Sequence, residues 1–148
     1  MGLLDSTSEE PKSKLRRYIV TGVLFLVMGT GSIWWQFRFH TEKKTIESFF
    51  TALSSGNTEE AYRIWKAQPT YAYKDFLADW GPAGYYGPVK SFQIVTAQRL
   101  KDASGVIVVV SISSQAPFPA SEDAAGRKTI KEVRLWVERS DQSLSYPP

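Results

Sequence analysis

Hydrophobic and polar positions follow three regimes along this chain. The first is Tyr18 to Phe37, YIVTGVLFLVMGTGSIWWQF, twenty residues without a charge, entered through Lys14-Leu15-Arg16-Arg17 and left through Arg38. As a helix rising about 1.5 Å per residue, the stretch reaches roughly 30 Å, the thickness of a bilayer's hydrocarbon core. Thr21, Thr30, Ser32 and Gln36 are its only polar side chains. A helix apolar on all sides belongs in lipid or at the centre of a large protein, and a chain of 148 residues has no such centre. The pattern therefore predicts one membrane-spanning helix, 18–37, with a short charged and disordered tail, 1–17, before it and a globular domain, 38–148, after it.

The second regime has helical period. Ile46, Phe49, Phe50 and Leu53 fall at i, i+3, i+4 and i+7, in a helix that can continue from the span, and Gly56 stops it. Asn57 with Glu60 three residues on reads as an N-cap, opening a short helix that carries Ala61, Ile64 and Trp65 on one face. Tyr73, Phe76, Leu77 and Trp80 repeat the spacing in a third helix, closed by Gly81-Pro82, with Lys74, Asp75 and Asp79 on its wet side. Three glycines and two prolines between Gly81 and Pro88 exclude regular structure there.

From Val89 the period changes to two. Val89 to Leu100 and Gly105 to Ser113 read as strands joined by a hairpin at residues 101–104, the second apolar on both faces and so central. A long Pro/Ala/acidic loop, Ala116 to Arg127, leads to a third strand, Thr129 to Arg139. In it Val133, Leu135 and Val137 point one way, and Glu132, Arg134, Trp136 and Glu138 the other. A turn at residues 140–142 returns a short last strand, 143–146. The expected class is α+β, three helices on a curved antiparallel sheet of three to four strands.

The segments TIESFFTALSSGN, TEEAYRIW, YAYKDFLADW, SFQIVTAQRL, GVIVVVSIS and KEVRLWVERSD carry a resemblance. In order and content they resemble the nuclear transport factor 2-like (NTF2-like) superfold, the α+β cone shared with ketosteroid isomerase and SnoaL-type cyclases, over about residues 41–146. That resemblance implies a cone whose mouth can hold a ligand and an outer sheet face through which such domains dimerise. Its catalytic members carry a carboxylate or a histidine inside the cone. Here Glu132 and Glu138 alternate with inward residues and His40 precedes the domain. The sequence departs from the catalytic pattern, and a fold does not bring an activity with it.

A cleaved signal peptide is the main rival for the apolar stretch, since Arg16-Arg17 precede a run from Ile19 to Met28 with Gly29 and Gly31 behind it. Apolar character resumes at Ile33-Trp34-Trp35, however, and paired tryptophans suit a headgroup interface. Lys12, Lys14, Arg16 and Arg17 on one flank against Arg38, Lys43 and Lys44 on the other favour a cytoplasmic N-terminus. That places the domain on the periplasmic side of a bacterial inner membrane.

Charge narrows the partners. Fourteen basic and twelve acidic residues follow Phe37 with no basic stripe, so nucleic acid is not expected. The chain has no cysteine and one histidine, which removes disulfides, thiolate chemistry, lipoprotein anchoring and multi-histidine metal sites. No cofactor, metal or catalytic residue is expected.

Two places attract attention. Tyr71, Tyr73, Asp79, Trp80, Tyr85 and Tyr86 gather around the third helix and the glycine loop, as a pocket that binds a small apolar ligand or peptide, or as core and plug of the cone. Trp136 with Arg134 on the wet face of the third strand suggests a partner surface, against ordinary cross-strand packing with a neighbour such as Phe92 or Tyr146. The expected partners are the lipid bilayer, and a second copy or another envelope protein. The favoured function is a non-catalytic interaction or assembly domain at the membrane surface. The alternative is a small-molecule binding protein or cone-type enzyme using the Tyr/Asp79 cluster.

Overall fold

The structure is a computed structural model that describes residues 11–120 and 129–148, the side chains of residues 11–13, 35 and 36 excepted. Residues 1–10 of the expected disordered tail, and residues 121–127 of the acidic loop, lie outside the described residues. The chain divides into two compact units, one ending at Arg38 and one beginning at Phe39.

The first unit is a single helix, α1, Pro11–Phe37. It starts seven residues before the uncharged stretch, with Pro at the first helical position, where a missing N–H costs nothing. Lys14, Arg16 and Arg17 are thus helical. Lys14–Trp34 is long and apolar enough to cross a membrane, with mean hydropathy 1.3 and none of it buried, a test that a signal sequence near an N-terminus also passes. Every described large apolar side chain from Leu15 to Phe37 is more than half exposed. The Thr30 hydroxyl donates back to the Leu26 carbonyl at 2.7 Å, so that polar group is satisfied within the helix. The Arg38 guanidinium lies 5.9 Å from the centre of the Trp34 ring.

The helix does not run on into the domain. Arg38 and Phe39 form a turn, and Phe39 sits at φ 63° in the left-handed region, which ends the α-helical path before α2, His40–Ser54, begins. After α2 come α3, Thr58–Trp65, and α4, Tyr73–Trp80. Gly56 at φ +79° ends α2, and Asn57 Oδ1 accepts the Glu60 N–H at 3.1 Å to cap α3.

Four strands, β1 Ser91–Gln98, β2 Gly105–Ser113, β3 Ile130–Glu138 and β4 Leu144–Ser145, form one antiparallel, curved sheet in sequence order. β2 and β3 are central. A bulge between Ile94 and Thr96 shifts the register, so that Ile94 pairs with Val110 while Thr96 pairs with Val109. Without the extra residue, Ala97 would face outward; with it, both Ile94 and Ala97 reach the core.

One face of the sheet, Val106, Val108, Val110 and Ile112 of β2 with Val133, Leu135 and Val137 of β3, is buried against the helices. α2 lies against β1 and β2, and α3 against β4. The space between is filled by rings. Phe49 has no exposure and meets Phe50, Trp65, Trp80 and Phe76 at centroid distances of 5.0, 5.3, 5.2 and 6.2 Å. Edge-to-face contacts dominate, the preferred geometry for aromatic pairs.

One buried carboxylate anchors the turn between β3 and β4. Glu42, its side chain 7% exposed, accepts the Arg139 Nε–H at 3.1 Å, and Thr45 donates to Gln142 Oε1 at 2.9 Å. The Lys66 ammonium donates to the Asp141 carbonyl in the same turn.

Candidate functional site

The glycine loop after α4 folds back on the helix that precedes it. The N–H groups of Gly81, Tyr85 and Tyr86 cap the carbonyls of Leu77, Ala78 and Asp79 at 2.8–2.9 Å, satisfying acceptors that a helix end leaves open. This path needs bare backbone. A Cβ on Gly84 would lie 2.8 Å from the Asp79 carbonyl, and one on Gly87 only 1.8 Å from the Gly81 carbonyl oxygen. The consequence is a fixed Tyr86, stacked on Trp80 at 4.6 Å and 24°.

Asp79 is the centre of what gathers there. Its Oδ2 accepts the Tyr71 hydroxyl at 2.5 Å and the Tyr146 hydroxyl at 3.2 Å. Asp79 is therefore half-buried and bonded, not on a wet helix face, because residues from outside α4 close over it. Tyr71 is held in turn by the Tyr62 hydroxyl on its carbonyl at 2.8 Å. Trp65 packs 6.0 Å from Tyr71 and 5.5 Å from Tyr146, and Tyr146 faces Tyr86 at 6.2 Å and 29°. Burial, then the hydrogen bond to Asp79, raises the Tyr71 phenol above its ordinary value. Tyr146 is raised by burial and then by Tyr71 and Asp79, and Tyr86 by burial and then by Tyr85 and Asp79. The phenols of the cluster are neutral at physiological pH.

The other expected members go elsewhere. Tyr73 shares a hydrogen bond of 2.9 Å with Thr58 Oγ1 and packs on Tyr62 and Phe76, at the opposite end of α4 from Asp79. Trp80 is 2% exposed and belongs to the core, its indole N–H buried without an acceptor among the described residues. Tyr85 is 73% exposed; the Lys131 ammonium donates to its carbonyl at 2.8 Å and lies 5.5 Å over its ring. Sequence reasoning singled out Tyr146 only as a neighbour of Trp136. Its place was readable from the expected strand 143–146, in which Tyr146 shares a face with Leu144, and Leu144 points inward.

The chemistry of the arrangement is specific. Both phenol protons are spent on Asp79 itself, so neither is aimed at a bound oxyanion, and a phenol with a raised pKa stays protonated at physiological pH and is not available as a base. A shallow cleft of about 180 Å³ lies beside the loop, between Tyr86, Pro88, Ser113 and Lys131. It is smaller than the roughly 300–1,000 Å³ of ligand pockets; two grooves of about 480 and 380 Å³, along Ser48, Glu60 and Ile64, reach that size but are open to solvent. Among the described residues no group of three or more His, Cys, Asp or Glu could hold a metal ion.

On the opposite sheet face, Arg134 and Trp136 stand in adjacent rows, paired with Val109 and Ile107 of β2. Trp136 packs neither on Phe92 nor on Tyr146. Phe92 lies on β1, beyond β2, and stacks on Phe50 in the core, while Tyr146 is in the Asp79 cluster. The indole instead covers Gly105 and donates to Glu138 Oε2 at 3.4 Å. The Ser104 hydroxyl also donates to that oxygen, at 2.8 Å, and this bond is the main cause holding the Glu138 carboxyl below its ordinary value. Arg134 reaches Glu132 at 3.6 Å, both exposed.

Comparison with family models, with curated proteins and with solved structures gives no match.

Proposed function

We propose that the chain is a membrane-tethered, non-catalytic interaction or assembly module of NTF2-like architecture. In this reading residues 18–37 span a bacterial inner membrane, the N-terminus is cytoplasmic and the α+β domain meets its partner on the periplasmic side. The observation that carries it is the filling of the space between helices and sheet. Phe49, Phe50, Phe76 and Trp80, each 2% exposed or less, pack into one core between the helices and the sheet. What is left for function is surface: the half-buried Trp136 beside Arg134 on the free sheet face, and the rim around Asp79. The tether is supported by α1, whose exposed apolar side chains have no protein cover among the described residues. Burying apolar area is worth about 25 cal/mol per Å², so lipid is the environment that removes this cost.

The experiment uses the full chain in native membranes. Carbonate washing is expected to leave it in the pellet, and protease added to spheroplasts to remove the domain. Pull-down from a maltoside extract, or sedimentation of the purified chain, is expected to show a stoichiometric partner or a dimer that Trp136→Ala loses. Release by carbonate would remove the tether. A monomer indifferent to Trp136→Ala would remove the sheet-face interaction.

A further inference from the structure

A lysine stands in a row of the sheet that is otherwise apolar. Lys131 pairs with Ile112 of β2, and residues directly opposed across an antiparallel pair share a face. Ile112 belongs to the core, as do Val133, Leu135 and Val137, the next residues on that face of β3. Lys131 therefore closes the core row with a charge. It does so at the cleft of about 180 Å³ beside the glycine loop, whose apolar walls are Tyr86, Pro88 and Ile112. Its ammonium is drawn across to the loop by the bond to the Tyr85 carbonyl, at 2.8 Å, which leaves two of three protons for other acceptors. Among the described residues no carboxylate pairs with it, in contrast to Arg63, Arg134 and Arg139. None of the residues lining the cleft is acidic.

The cleft is pre-formed on both sides. Tyr86 is fixed by its stacking on Trp80, and Gly87 by a path that admits no Cβ. At the end of β2 the Ser113 carbonyl accepts the Lys90 N–H at 2.8 Å, and the Ser113 hydroxyl accepts the Gln115 N–H at 3.1 Å, which together set the path of Ser114. Ser114 also lines the cleft, and neither its N–H nor its hydroxyl is engaged among the described residues. One fixed positive charge and one free serine beside apolar walls match a monoanion with an apolar body. A phosphate, which draws on several charged donors, is not matched. The size agrees: a cavity of about 150 Å³ encloses a six-carbon ligand, so this cleft, too small for a drug-sized molecule, has room for a short apolar chain with a carboxylate at its end. We propose that the cleft between the glycine loop, the end of β2 and the start of β3 is a binding site for a small monocarboxylate. Lys131 and Ser114 hold the carboxylate, and Tyr86, Pro88 and Ile112 cover the chain. The site needs neither the tether nor the sheet-face partner, so it stands or falls apart from the function proposed above.

The test is an amide NMR titration of the full chain, isotope-labelled, in maltoside micelles at low ionic strength. Butyrate is compared with butyramide, its uncharged isostere. Saturable shifts of the Gly87, Ile112 and Ser114 amides are expected with butyrate, at a Kd in the millimolar range and about fivefold or more tighter than with butyramide. Lys131→Met, which keeps the stem and removes the charge, is expected to bring butyrate down to the level of butyramide and to leave butyramide unchanged. Lys74→Met, which removes an exposed lysine of α4 that does not line the cleft, is expected to bind butyrate as the parent does. A tripeptide ending in valine gives the second arm: tighter binding than butyrate assigns the carboxylate to the C-terminus of a partner chain, and weaker binding assigns it to a free acid. Equal affinity for butyrate and butyramide, no saturable shift of these three amides, butyrate binding unchanged in Lys131→Met, or an equal loss in Lys74→Met would overturn the proposal.

Discussion

Replacing Phe49 by alanine tests the packing on which the non-catalytic reading stands. Phe49 is wholly buried in α2, with four aromatic rings within 6.2 Å of its own. Loss of a core phenylalanine costs about 3–5 kcal/mol, the sum of lost transfer energy and the cavity left behind. Four rigid ring neighbours, all held on helices, cannot collapse far, so the upper half of that range is expected, about 4 kcal/mol. Net stability of such a domain is on the order of 5–15 kcal/mol, and the loss is a large share of it. Urea unfolding of the full chain in maltoside, followed by near-ultraviolet circular dichroism, reads these rings directly. With a slope of about 2 kcal/mol per molar, the midpoint is expected to fall by roughly 2 M. Phe49→Leu, which keeps most of the volume, is expected to cost about 1–2 kcal/mol. Benzene should stabilise the alanine variant and leave the parent unchanged, since it binds only where a cavity has been opened. A cost below about 1.5 kcal/mol, or a parent that benzene also stabilises, would mean that the interior is not filled around Phe49.

Three further outcomes follow from named contacts. Arg139→Ala strands the buried Glu42 carboxylate and is expected to cost about 1–3 kcal/mol, less than for a fully buried pair because Arg139 is 48% exposed; Glu42→Gln, which still accepts the Nε–H, should cost less, and equal costs by urea titration would contradict the pairing. Tyr71 and Tyr146 have folded-state values raised above the unfolded one of about 10, so their contribution to stability is complete below pH ~10 and is lost as pH rises through the folded values. Absorbance titration should therefore show at least these two of the seven tyrosines ionising only with alkaline unfolding, and a single transition of all seven while the domain stays folded would refute it. Gly105→Ala would place a Cβ 2.4 Å from the Trp136 ring and should cost about 1–3 kcal/mol, a cost that vanishes in a Trp136→Ala background if the indole is what it strikes.

The elements were legible because each is defined by neighbours in sequence. Ile46, Phe49, Phe50 and Leu53 all turned inward, and Val133, Leu135 and Val137 did the same at period two, since burial of one face dictates both patterns. The helix break was not legible. Nothing in Arg38-Phe39 signals a left-handed residue, a conformation that phenylalanine rarely adopts. The surroundings of Asp79 were missed for a different reason: helical period put it on the wet face of α4, and only tertiary structure brings Tyr146, 67 residues away, over it. The neighbours of Trp136 depended likewise on strand order, because β2 stands between β1 and β3.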